Sequence, residues 1–170
     1  MKRHLLPMIA CALVTLSFAA YGADSQRQAE VAQRGAEVMP FSLEATTHVF
    51  AKTADGGTLQ LVVKDVSDTQ QMDMVRAHLK MMQGRFQERD FSGPAHIHGA
   101  KMPGLAQLKA AKPGKLIVSY QDIDAGAQLH FQAKDADLIA AIHAWFDAQV
   151  ADHGADARAD TGAIRVDRSR

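Results

Sequence analysis

Two histidines one residue apart, followed by a methionine, stand in the stretch PAHIHGAKMPGL at residues 94–105. If the stretch is extended, alternate side chains point the same way, and the rings of His96 and His98 face one ion. If it curls, Met102, four residues past His98, joins them. Imidazole and thioether together suit a transition metal, above all copper as Cu(I). Two ligands hold an ion weakly, so a third and fourth must come from elsewhere in the fold. His78 and His143, one on each of two predicted helices, are the nearest suppliers in kind.

The other histidines have their own settings. His78 lies between Met74 and Met81 on the flank of its helix, a ladder of soft donors or simply gap-filling thioethers. His143 flanks the buried face of the second helix, with Asp147 one turn later as an orienting partner. Trp145, Gln149 and His153 form one row on that helix, four residues apart, and His153 at its end is placed to cap the last carbonyls as an imidazolium. His48 shares a strand face with Phe50 and points into a sheet–helix interface, whereas His130 alternates with Leu129 and Phe131 and faces outward.

Composition narrows the chemistry. Cys11 is the only cysteine and falls in the leading apolar run, so a metal site must use His, Met, Asp or Glu. The sequence holds no Gly-x-Ser-x-Gly, no phosphate-cradling glycine loop and no His-Glu-x-x-His, which leaves copper or zinc as the expected cofactors and no nucleotide. No basic stripe interleaved with aromatics is present, so a metal ion or small molecule is the expected partner and nucleic acid is not.

The leading stretch MKRHLLPMIACALVTLSFAAYGADS has a basic start, an apolar run and small residues around Gly22. That is the plan of a signal peptide at residues 1–22, which predicts a periplasmic or secreted protein without a stable membrane anchor after cleavage. Removing Lys2 and Arg3 leaves 17 basic against 19 acidic residues, a nearly neutral mature chain. Residues 23–38 read as a mobile or loosely helical polar leader, 39–154 as the folded domain, and 155–170 as a charged, disordered tail.

These residues need elements to hold them. Alternating apolar positions on either side of the turn ADGG predict a hairpin, with Leu59, Leu61 and Val63 on one face of its return strand. A helix follows, capped at Ser67 or Asp68, with the stripe Met72, Val75, Leu79, Met82 and Phe86. After the His-containing loop and a short helical piece, a second hairpin and a second helix repeat the order, ending at Gly154. The pattern predicts an α+β fold, with two ββα units forming one antiparallel sheet and both helices packed on one face.

Three blocks, MPFSLEATTHVF, IHGAKMPGL and HAWFDAQVADHG, carry a resemblance to a family of small exported bacterial proteins with the pattern MPF-x-LxxTTHxF … IHGxxMPGL … HxWFDxQxxDHG. The resemblance covers about Met39 to Gly154. It implies that His48, His98, Met102, Trp145, Gln149, Asp152 and His153 converge on one pocket, and His96 falls outside it. Members often bear the automatic name aspartate carbamoyltransferase. That reaction needs a phosphate-binding helix start, several substrate arginines and two domains totalling about twice this length, none of which is visible here. Three expectations follow. The first is a periplasmic transition-metal-binding protein, copper before zinc, with His98 and Met102 as loop ligands and His48, His78, His143 or His153 completing the set. The second is a small-molecule binder or enzyme built around His48, His98, His153 and Trp145. The third is an interaction module whose histidines matter only for packing.

Overall fold

Alternation along four short segments decides the sheet. The computed structural model describes residues 15–160, with side chains from residue 24 onward. Strands β1 (Thr46–Thr53) and β2 (Gly56–Val63) form the first hairpin, and β3 (Leu116–Ile123) and β4 (Gly126–Ala133) the second. The hairpins join through β2 and β4, antiparallel, and with a fifth, short strand β5 (Ala157–Asp160) beside β1 the order is β3-β4-β2-β1-β5. Phe50 sits opposite Leu59, Leu59 opposite Leu129, and Val118 opposite Phe131, which gathers the apolar side chains on one face. His48 sits opposite Leu61 and therefore faces the same way.

Two helices cover that face. α2 (Thr69–Gln87) begins where the Asp68 carboxylate accepts the Gln71 N–H at 3.0 Å, and α5 (Ala136–His153) where Asp135 accepts the N–H groups of Asp137 and Leu138. The whole predicted stripe of α2, from Met72 to Phe86, is buried. Trp145 of α5 sits at the centre of the core, with Phe91, Phe131 and Phe86 at ring-centroid distances of 5.6, 5.5 and 5.8 Å. Edge-on aromatic pairs of this kind add about 0.5–1.5 kcal/mol each beyond the area they bury. The α+β architecture is as the sequence predicts.

Three expectations change. Residues 92–98 do not form a loop but a short helix, α3 (Ser92–His98), while the predicted helical piece is α4 (Leu105–Ala110). The polar leader, read as mobile or loosely helical, is a regular packed helix. It belongs to α1 (Thr15–Val38), which packs on α5 and α3 with Val31 at 1% exposure. Few large apolar groups sufficed, because its hold is largely polar: Gln28 donates to the Ala151 carbonyl and Arg27 to Asp152. The start of the expected tail is ordered too, since β5 (Ala157–Asp160) pairs parallel with β1. An edge strand gains its order from backbone hydrogen bonds and needs only Ala157 inside. Residues 1–14 of the expected signal peptide and 161–170 of the tail lie outside the described residues. Among the described residues no helix is long and apolar enough to cross a membrane.

Candidate functional site

The last turn of α5, the first half of β1 and the end of α3 meet at three imidazoles. His48 and His153 stack with centroids 4.6 Å apart and planes 16° from parallel. His98 meets His153 edge-on, with centroids 4.8 Å apart and planes at 72°. His48 and His98 are buried, at 9% and 5% exposure. Each ring is set by a different element: His48 by strand register, His98 by the final residue of α3, and His153 by the row of α5 that also carries Trp145 and Gln149.

Behind His98 stands a charged clamp. The Asp152 carboxylate lies 2.9 Å from His98 Nδ1. Arg27 of α1 donates to the same carboxylate at 3.0 and 2.6 Å and to the His98 carbonyl at 2.5 Å. Burial alone would push the Asp152 carboxyl up, but the bonds from Arg27 and His98 outweigh it and hold the group below its usual range, so it is ionised at neutral pH. Burial lowers His98, and the Asp152 bond only partly offsets this, so its ring is neutral. An ionised carboxylate at Nδ1 requires the proton there. Nε2 is left with its lone pair, as an acceptor or a base.

Burial also keeps the neighbours uncharged. It is the main cause that lowers His48 to about 4, with His78 and His98 adding repulsion, while a hydrogen bond with the Asp156 backbone acts the other way. It lowers His78 to about 4, helped by Arg85, and His153 to about 2, helped by His48 and His98. The expectation that His153 caps its helix as an imidazolium therefore fails. A ring this deeply desolvated stays neutral, and α1 supplies the donor to the Ala151 carbonyl instead.

A cavity of about 230 Å³ opens in front of the rings, lined by His48, His78, His98, Trp145, Gln149 and His153, with Phe50, Leu59, Leu61, Leu79, Met82 and Phe86 as apolar wall. The row Trp145-Gln149-His153 read from the sequence thus lines one space. Two polar atoms of lining residues, Trp145 Nε1 and His78 Nδ1, are buried without a hydrogen-bond partner. Such atoms cost free energy unless something accepts or donates to them.

Other candidates are placed elsewhere. His96 is exposed and borders a hollow with Glu30, Arg34 and Glu37 of α1. Two residues apart on a helix point to nearly opposite sides, so the pair in α3 cannot share an ion. Met102 is a core residue that does not line the histidine cavity, but it borders a second hollow together with His98, Arg27 and Asp152. His143 Nε2 lies 3.0 Å from the Thr53 carbonyl and 2.8 Å from that of Gly56, which fixes the first hairpin, and Asp147 pairs with Lys52 rather than with it. Of the flanking methionines, Met81 borders the cavity and Met74 packs against the core. His130 is on the outward face but is only 29% exposed, with Asp55 at 3.8 Å.

Comparison with protein-family models, with curated proteins and with solved structures gives no match, so the site is read from its own geometry. Sequence reasoning missed Arg27 because it stands in the polar leader. The signal was present in the helical spacing of Arg27, Val31 and Gly35, which places one guanidinium on a small, packable stripe.

A metal ion needs lone pairs that converge. A ligating imidazole points at its ion within the ring plane, and two stacked, nearly parallel rings have no common in-plane point. Among the described residues no three His, Cys, Asp or Glu are grouped to hold an ion. The donors as arranged do not close around copper or zinc.

Proposed function

We propose that this chain is a periplasmic small-molecule binding protein whose site is the cavity walled by His48, His98, His153 and Trp145. The observation that carries the reading is an apolar cavity holding oriented but uncharged imidazoles and two buried polar atoms without a partner. Pockets of this make-up bury most of an apolar ligand and orient it with a few polar groups. Drug-sized pockets run to about 300–1,000 Å³, so the occupant here is smaller. His98 Nε2 accepts a hydrogen bond or a proton from it, Asp152 and Arg27 keep that nitrogen aimed, and Trp145 Nε1–H offers a donor. An enzyme would need His98 as general base, and its placement supports that use. The export signal read from residues 1–22 supports the location.

A fragment screen tests this, read by the fluorescence of Trp145, the only tryptophan. Ligands that shift its emission in the wild type and lose affinity in His98→Ala, with the far-UV spectrum unchanged, support it. If the emission shift is identical in His98→Ala, the histidine wall plays no part in binding.

Copper binding is the second reading, favoured by one observation: a carboxylate on Nδ1 is how metal-binding histidines are oriented. It requires His48 and His153 to unstack. Stoichiometric uptake of Cu(I) or Cu(II) by the protein, lost in His98→Ala, would put it first. Failure to bind copper or zinc at micromolar concentration would end it.

A further inference from the structure

The walls of the cavity carry no carboxylate, and their one formal charge is the guanidinium of Arg85. Arg85 is exposed, and so are two other lining residues, Val38 at 49% and Met81 at 48%. Exposed lining residues mark the opening, so the mouth is an apolar rim holding a single cation. No ion pair engages Arg85 among the described residues, though beside the hydrogen bonds from Ser92 its charge helps hold the nearby Asp90 carboxyl below its usual range. Inside, the polar groups are of another kind: neutral imidazoles, an amide and an indole, among aliphatic and aromatic side chains.

This division of charge selects a ligand. A cationic molecule would meet repulsion at the mouth and no counter-charge within. A polyanion would lack partners for every charge but one. A neutral apolar molecule would leave Arg85 idle. The interior is a poor place for a carboxylate, because imidazoles so desolvated do not take up the proton that would pair with it. At the mouth, a guanidinium offers a planar, two-pronged match to a carboxylate that keeps part of its hydration.

On the reading of the cavity as a small-molecule site, we infer that its ligand class is a small monocarboxylic acid with an apolar body, the carboxylate held at Arg85 and the body against Phe50, Leu61, Phe86 and Trp145. Arg85 then sets specificity, while the wall supplies most of the binding through buried apolar area.

The test pairs each acid with its neutral isostere. Isothermal titration and Trp145 emission are measured on the protein with 3-phenylpropionate and 3-phenylpropionamide, and with hexanoate and hexanamide. A charge-assisted bond predicts that the acids bind about tenfold tighter or more than the amides. Arg85→Ala should erase that ratio while leaving amide affinity in place, and Arg85→Lys should restore part of it. Because Arg85 is exposed, both variants should keep the wild-type melting temperature. Equal affinity for acid and amide, or a preference that survives Arg85→Ala, overturns the carboxylate assignment and leaves the cavity reading standing. If neither acids nor amides bind at millimolar concentration, the carboxylate assignment is overturned again. The fragment screen on Trp145 then decides the cavity reading separately.

Discussion

At the scale of single residues, His98 owes its chemistry to a neighbour's charge. Asp152 holds the proton on Nδ1, and Arg27 keeps Asp152 ionised. Asp152→Ala should therefore leave Arg27 and His98 Nδ1 without their partner and cost about 1–3 kcal/mol, measurable by denaturant unfolding. Nitrogen-15 shifts should show His98 fixed as the Nδ1–H form in the wild type and divided between tautomers in the variant. An unchanged tautomer would mean that something other than Asp152 sets the ring. Much at this scale was legible: the face of His48, the row Trp145-Gln149-His153, and His98 taken over His96. The charge state of His153 was not, because desolvation depends on what α1 and β1 bring over the helix end. Nor was the partner of His98, since residues 27 and 152 meet only through the tertiary fold.

Among elements, the two ββα units are related by more than their order. His143 of α5 bonds the Thr53 and Gly56 carbonyls of the first hairpin, and Arg76 of α2 bonds the Ile123 and Gly126 carbonyls of the second. A Cβ on Gly56 would lie 2.1 Å from the Phe131 oxygen, and one on Gly126 would lie 2.1 Å from the Leu61 oxygen. Each unit thus reaches into the other at matching positions. His143→Ala and Arg76→Ala should each destabilise by about 1–3 kcal/mol by leaving carbonyls unpaired, yet leave ligand affinity at the cavity unchanged. Loss of binding in His143→Ala without loss of stability would return that residue to the site. The hairpins, α2, α5 and the repeat of their order were legible because period-2 and period-3.6 patterns were clean. α3 was hidden by Pro94 and its flanking glycines, and β5 by its charge. In the MPGL turn, Gly104 (φ 75°) allows close approach to α5, since a Cβ there would lie 2.0 Å from the Ala141 oxygen.

For the whole molecule, the cost of burying uncharged histidines falls on its behaviour in acid. In the unfolded chain these rings take up protons near pH 6.5, but in the fold His48 and His78 resist until about 4 and His153 until about 2. The unfolded state therefore binds more protons between those limits, and stability falls as pH drops through that window. For His48 or His78 alone the loss on going from above pH 6.5 to pH 4 approaches roughly 3 kcal/mol. The melting temperature should be level above pH 7 and fall steeply towards pH 4, and His48→Phe should flatten the fall. A melting temperature indifferent to pH over that range would mean that the rings are not buried as described. α1 belongs to the same account, because Arg27 ties it to the site. Arg27→Ala should speed amide exchange along residues 24–38 more than in the sheet.

The most direct measurement is an NMR fragment screen that follows the indole N–H resonance of Trp145, the unpartnered donor among the cavity's lining residues. The small-molecule account predicts compounds that shift this resonance saturably, with affinities of about 100 μM or better, and that lose the effect in His98→Ala. A screen in which no compound moves the Trp145 indole, while one equivalent of copper does, would contradict it.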